Sequence, residues 1–226
     1  MKLYIVSTPI GNLKDITIRA LETLKEVDFI LCEDTRTSGN LLHHFEIKKE
    51  LISLNAFNEK NKIEFIVNRI LGNQTAALIS DAGTPLISDP GVRLVSHCIE
   101  KGIEIVPIPG ASALIAAISM SGLPTDAFVF EGFLPQKKGR QSKLKELSTE
   151  NRTIVLYESM YRIEKLLNEL NEYLPDRYIV VCREITKKFE ESWRGYPKDL
   201  LEVIGNKIIK GEFVVVIAPK DWIQKF

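Results

Sequence analysis

The sequence predicts an α/β protein built from two α/β domains with mostly parallel sheets. Two observations carry that expectation. Short apolar, β-rich runs alternate with stretches of helical period along the 226 residues. Nearly all of the β-rich runs are continuously apolar rather than alternating, as in strands covered on both faces. The pattern restarts after Ser119–Asp126, "SMSGLPTD", a stretch punctuated by Gly and Pro, which sets the expected domains at 1–118 and 119–226.

The expected strands of the first domain are Leu3–Ser7, Phe29–Cys32, Leu51–Leu54, Ala76–Ser80 and Ile103–Pro107. Those of the second are Phe128–Phe130, Thr153–Tyr157, Tyr178–Cys182 and Phe213–Ile217. Between them, Ile63, Ile66, Val67, Ile70 and Leu71 recur at helical spacing, as do Ile163, Leu166, Leu167, Leu170 and Leu174, so each helix has one core face. In such folds ligands bind where loops leave the carboxyl ends of the strands, so those loops are the place to look for chemistry.

With 45% apolar residues the chain can bury a proper core. Thirty basic residues balance thirty acidic ones, so any affinity for nucleic acid or membrane must come from a local patch. Cys32, Cys98 and Cys182 are scattered in apolar segments, as buried thiols of a reducing compartment are. The opening apolar run, Leu3–Val6, is too short for a signal peptide core or a membrane span. These features predict a cytoplasmic protein without a membrane partner.

Three first-half loops stand out: "STPIGN" (Ser7–Asn12), "SDAGTPLISDPG" (Ser80–Gly91) and "PIPGASA" (Pro107–Ala113). Glycine lets backbone turn and approach a ligand while proline stiffens the loop. Neither GxxxxGK[ST] nor GxGxxG occurs there, and Asp81 and Asp89 would repel a phosphate. Carboxylates suit a polyol or a cation, and S-adenosylmethionine offers both. The plainer alternative is a capped turn, and Asp89 ahead of Pro90 reads mainly as a helix N-cap with Pro at N1. After Gly110, Ser112 and Ala113 open a small-residue helix whose backbone can face a cofactor, while Ala116 and Ala117 serve packing.

"CEDTRTSGNLL" places Glu33, Asp34 and Arg36 directly after a buried strand, either as a solvated turn with an internal ion pair or as a polar cluster facing the cleft. Thr37 or Ser38 can cap the helix that follows. From Gln136 to Lys145 the chain carries Lys137, Lys138, Arg140, Lys143 and Lys145 with no acid. Such runs are usually solvated surface, but this one follows "FEGFLP", so a flexible cationic loop with Phe133 beside it could grip a phosphate backbone and stack a base. His43, His44 and His97 lack partners at ligand spacing, so no metal is expected, and no nucleophilic triad signature appears.

Together, "TPIGNLKDIT", "CEDTRTSGNLL", "SDAGTPLISDPG", "PIPGASA", "FEGFLP", "LYESMYR" and "CREITKKFEE" resemble the tetrapyrrole methylase superfamily and, within it, the methyltransferases of small-subunit ribosomal RNA. The resemblance implies two α/β domains with S-adenosylmethionine in the inter-domain cleft and a homodimer. It also implies methyl transfer to the ribose 2′-oxygen of a cytidine in the decoding region of 16S ribosomal RNA. Carried over by position, it assigns cofactor contacts to Pro9, Asp81, Gly83, Thr84, Ser112, Ala113 and Tyr157. RNA contacts then fall to Lys137, Lys138, Arg140 and Phe133, with Phe133 or Tyr161 available to stack a base. Better known members continue into a helical extension, whereas this sequence stops at "APKDWIQKF", so the expected grip on RNA falls to the dimer, the basic loop or another partner.

A ribose hydroxyl needs a nearby base, and Glu33, Asp34, Glu131, Glu158 and Glu184 all lie at strand ends. Glu33 or Asp34 is the first choice as catalytic group, with Arg36 orienting a carboxylate or a phosphate. Two rival readings remain: a tetrapyrrole C-methyltransferase, and a noncatalytic RNA-binding module that keeps the cofactor fold.

Overall fold

A computed structural model of the chain describes residues 1–205, 207 and 209–223. It separates into two compact units, Met1–Ser112 and Ala113–Phe226.

The first unit runs β1 (Lys2–Val6), a 3-10 turn (Leu13–Asp15), α1 (Ile18–Glu26), β2 (Phe29–Cys32), α2 (Thr35–His44), β3 (Glu50–Ser53), α3 (Glu59–Leu71), β4 (Ala76–Leu78), α4 (Val92–Glu100) and β5 (Glu104–Ile108). Its five strands lie in the order β3-β2-β4-β1-β5 and every pairing is parallel. Side chains alternate across the pleat. Leu3, Phe29, Leu31 and Leu78 pack with Ile63, Ile66, Ile70 and Leu94 of α3 and α4 on one face. Val6, Ile30, Cys32 and Ala77 pack with Ala20, Leu24 and Leu42 of α1 and α2 on the other. Burial on both faces is why these strands read as unbroken apolar runs.

The second unit runs α5 (Ala113–Ser121), β6 (Phe128–Phe133), α6 (Arg140–Ser148), β7 (Thr153–Ser159), α7 (Ile163–Tyr173), β8 (Ile179–Arg183), β9 (Glu191–Gly195), α8 (Pro197–Gly205) and β10 (Glu212–Ile217). The strand order is β6-β7-β10-β8-β9. Leu166, Leu167 and Leu170 of α7 and Leu200 of α8 pack on Ile154, Leu156, Val181, Phe213 and Val215 of the sheet.

Parallel pairing is complete in the first sheet, but the second corrects the expectation there. Only β6 and β7 are parallel, while β10 lies antiparallel between β7 and β8, and β8 pairs antiparallel with β9. An apolar run reports burial on both faces and carries no information on direction. Strand β9, "ESWRG", is an addition to the expected set. It is an edge strand in which only Trp193 and Gly195 are buried, so it has no apolar run to announce it. Helix α5, placed at the end of the first domain by the 118/119 boundary, groups instead with the second unit, where it packs against β10. Among the described residues no helix is long and apolar enough to cross a membrane.

Candidate functional site

Because all five strands of the first sheet are parallel, their carboxyl ends share one edge, and the loops after β1, β2, β4 and β5 gather there. Three of these loops are tied together. Thr8 and Gly83 exchange backbone hydrogen bonds of 2.9 and 3.0 Å. The Thr8 hydroxyl donates to the Ser80 carbonyl at 3.2 Å. The Thr84 hydroxyl lies 3.1 Å from that of Ser7 and donates to the Ala111 carbonyl at 3.1 Å. Two glycines make the fit possible. A Cβ on Gly110 would sit 2.9 Å from the Cβ of Ser7, and Gly83 has φ +80°, where a Cβ would lie 3.1 Å from Ile10 Cγ2.

Carboxylates surround this knot. Burial raises the pKa of Glu33, with the charges of Asp81 and Asp34 adding to it, and burial likewise raises that of Asp81. Asp89 is pushed up to about 6, by burial first and then by the charge of Glu33. Asp34 goes the other way. Its side chain accepts from Arg36 Nε at 3.2 Å and Nη2 at 2.7 Å and from the Arg36 backbone N–H at 2.8 Å, and these bonds hold its carboxyl down at about 2. The Asp34 backbone N–H donates to Asp81 Oδ1 at 3.2 Å, joining the β2 loop to the β4 loop. Three partly desolvated carboxylates at one edge form a poor site for a phosphate and a good one for a cation or for hydroxyl and amino donors.

The β4–α4 loop is held in an unusual backbone path. Leu86 and Ser88 lie at φ +74° and +69°, and Gly91 at φ +120° is the residue ahead of α4. The reading of Asp89 as an N-cap is therefore corrected, since Pro90 lies outside the helix and the cap residue is Gly91 without a side-chain bond. The role belongs to buried Glu59 at the start of α3, whose Oε1 accepts from the N–H groups of Arg93 and Leu94 at 3.1 and 3.2 Å. Similarly, α2 is capped by Asp34, one turn before Thr37 or Ser38. Neither Glu59 nor its partners stand out in the sequence, because the contact spans more than thirty residues.

The expected first-unit contacts Pro9, Asp81, Gly83, Thr84 and Ser112 thus fall in three adjoining loops, with Glu33, Asp34 and Arg36 in the neighbouring one. In the second unit Ala113 opens α5 and Tyr157 lies on β7, its ring edge-on to Phe130 at 4.9 Å and to Phe133 at 5.7 Å. The cationic stretch divides. Lys137 and Lys138 are exposed on a short loop, but Arg140 begins α6 and is corrected to a structural residue. It is buried, bonded to Glu169 through Nε and Nη2, and its Nη1 donates to the Pro135 carbonyl at 3.1 Å. Lys143 is likewise paired, to Glu131 and Glu146 at 2.9 Å each. Phe133 is half exposed, with the Arg162 guanidinium 5.7 Å from its ring.

An all-parallel sheet carrying glycine-turned, carboxylate-lined loops at its carboxyl edge, followed by a mixed-sheet unit, defines an α/β protein equipped for a small polar or cationic ligand. The comparisons specify the class further. Residues 2–200 match the family described as Tetrapyrrole (Corrin/Porphyrin) Methylases, and the chain belongs to that family. It is 47% identical to "Ribosomal RNA small subunit methyltransferase I" of Thermotoga maritima over 97% of this chain and 99% of that one. To the protein of the same name from Synechocystis sp. it is 49% identical, over 97% of this chain and 80% of that one. Among solved structures, uroporphyrin-III C-methyl transferase from Thermus thermophilus complexed with S-adenyl homocysteine shares the fold, with a TM-score of 0.68 at 16% identity over 96% of this chain and 97% of that one.

Proposed function

We propose that this protein is an S-adenosylmethionine-dependent methyltransferase of small-subunit ribosomal RNA, acting on the ribose 2′-oxygen of a cytidine in the decoding region of 16S RNA. The observation that carries the reading is the match, nearly end to end, to a relative named as a methyltransferase of small-subunit ribosomal RNA; the cytidine 2′-oxygen is the finer part of the proposal. The first-unit loops fit the cofactor by their donor set. Asp81, Asp89 and Glu33 supply acceptors for ribose hydroxyls or an amino group and negative charge for a cation, while Gly83 and Gly110 let backbone come close. In this reading the protein works in the cytoplasm as a homodimer.

When bound, S-adenosylmethionine supplies a methyl carbon activated by its sulfonium. The work left to the protein is alignment of the 2′-oxygen behind that carbon and exclusion of water. Loops cross-tied through Thr8, Gly83 and Thr84 are suited to hold a ligand in one pose. A base within reach of the hydroxyl adds about 10² to 10⁴-fold. Glu33 suits that role better than Asp34, because its affinity for a proton is raised whereas Asp34 is committed to Arg36 and to the start of α2. Asp34 and Arg36 then act as positioning groups that keep the β2 loop against Asp81.

The test is complementation. In cells lacking this protein, mass spectrometry of 16S RNA should show one 2′-O-methylcytidine missing from the decoding region, restored by the wild-type chain and not by the Asp81→Ala variant. An unchanged methylation pattern would refute the reading.

A further inference from the structure

The second sheet gathers its own loops at one edge. Phe133 at the end of β6 pairs with Tyr157, Ser159 at the end of β7 with Glu212, and Arg183 at the end of β8 with Phe213. The carboxyl ends of β6, β7 and β8 and the start of β10 therefore lie side by side. Exposed aromatics stand on three of these ends: Phe133 as the last residue of β6, Tyr161 after β7 and Phe189 after β8, at 50%, 85% and 62% exposure. Apolar rings this open on so short an edge are surface that a partner can cover.

The cations of this edge sort into two groups. Lys143, Arg162, Lys187 and Lys207 are spent on Glu131, Glu158, Glu184 with Glu212, and Glu191. Among the described residues of this edge Lys137, Lys138, Lys188 and Lys210 form no ion pair and are exposed. Three of these cations flank an exposed ring, by chain position or by contact. Lys137 and Lys138 follow Phe133 in the chain, and the Lys188 ammonium lies 5.6 Å from the ring centre of Phe189.

The β8–β9 loop is also built to present that pair. Glu184 and Thr186 occupy left-handed backbone at φ +50° and +68°. Glu184 Oε1 accepts from the Glu212 N–H at 3.0 Å and from Lys187 Nζ at 2.8 Å, and Glu190 Oε2 accepts from the Thr186 N–H at 2.5 Å. Gly211 is needed for this closeness, since a Cβ there would lie 2.5 Å from the Glu184 side chain. Glu184 is thus turned inward and Glu190, though exposed, is tied back to the loop backbone, while Lys188 and Phe189 face out.

We infer that the β8–β9 loop is a second RNA-gripping element. Lys188 contacts a phosphate and Phe189 stacks a base of an unpaired stretch of ribosomal RNA that runs along the sheet edge toward Phe133, Lys137 and Lys138. The inference rests on the proposed ribosomal RNA substrate and names the surface that holds it. In the order β6-β7-β10-β8 the two cation–aromatic groups are three strand spacings apart, about 14 Å, a span that a few nucleotides of single strand cover. Alternating rings and free ammonium groups fit a single strand, whose bases are available for stacking, better than a duplex.

The experiment measures binding of the full-length protein to a naked 16S RNA fragment of the decoding region and to small ribosomal subunits across a salt series, with S-adenosylhomocysteine affinity as the check on folding. Phe189→Ala should weaken RNA binding by about 5- to 100-fold with little change in salt dependence. Lys188→Ala should lower the slope of log affinity against log salt by about 0.7. Lys101→Ala, an exposed charge after α4 at the opposite edge of the first sheet, should alter neither, and all three variants should keep wild-type cofactor affinity. Wild-type RNA binding by both loop variants overturns the inference while leaving the proposed substrate intact. Loss on assembled subunits alone overturns it too, and assigns the surface to a ribosomal protein. A wild-type protein that binds neither RNA overturns the substrate reading itself.

Discussion

The Arg140 guanidinium grips the Glu169 carboxylate, with Nη2 to Oε2 at 2.6 Å and Nε to both oxygens at 2.8 and 2.9 Å, while its Nη2 also lies 3.9 Å from the buried Glu158. This fork joins the start of α6 to α7 and to the end of β7. Arg140→Ala strips Glu169 of its main partner and removes the second cation beside buried Glu158, which keeps Arg162, so it should destabilise the protein by about 3 kcal/mol in urea unfolding. It should leave the salt dependence of RNA binding unchanged. A stable variant with a flatter salt dependence would return Arg140 to the RNA surface.

Gly110 tests the loop knot by sterics alone, because its backbone angle is ordinary and the obstacle is Ser7, whose Cβ would be 2.9 Å from a new methyl. Gly110→Ala should push the β1 and β5 loops apart and weaken S-adenosylhomocysteine binding by tenfold or more in calorimetry, with about 1 to 3 kcal/mol lost in stability. Unchanged affinity would remove these loops from the cofactor site.

Asp89 makes the stability of the free protein depend on pH. Its folded pKa of about 6 exceeds the ordinary 3.8, so between those values the folded state holds a proton that the unfolded chain has released. Its contribution therefore favours the fold below about pH 4 and is lost as pH rises through about 6. Asp89→Asn should be more stable than the wild type above pH 6 and should show a smaller decline in stability between pH 4 and 6, while binding S-adenosylmethionine less well. Parallel curves for the two proteins would contradict the assignment.

Glu59 gives a variant pair that separates charge from hydrogen bonding. Gln keeps an oxygen for the N–H groups of Arg93 and Leu94, whereas Ala leaves the start of α4 without its side-chain cap. Glu59→Ala should cost about 1 to 2 kcal/mol and raise the KM for S-adenosylmethionine through the loop that ends at Gly91, with Glu59→Gln close to wild type in both. Equal effects of the two would argue against a capping role.

Glu33→Gln should lower kcat by about 10² to 10⁴-fold with cofactor affinity little changed, the signature of a group needed for chemistry. Asp34→Ala should instead lower thermal stability and raise KM, since Asp34 caps α2 and holds Arg36. The reverse pattern would exchange their roles.

Much of this was legible before the structure. Among the described residues, unbroken apolar runs located nine of the ten strands, and Gly and Pro marked the loops that meet at Thr8, Gly83 and Gly110. What stayed hidden was long-range or weakly patterned. Strand direction in the second sheet depends on which neighbour β10 pairs with, and the edge strand β9 buries too little to show a period. Asp89 looked like a cap because Pro90 follows it, but the cap for α4 comes from Glu59 on another helix. Arg140 looked like one of five loop cations because sequence does not reveal that Glu169 lies across the α6–α7 contact.

The central claim is tested most directly by incubating the purified protein with methyl-labelled S-adenosylmethionine and either small ribosomal subunits or naked 16S RNA from cells that lack it, followed by nuclease digestion and nucleoside analysis. The account predicts label in 2′-O-methylcytidine, strongly reduced with Glu33→Gln. Label confined to a base, or none on either RNA while cofactor binding is intact, would contradict it.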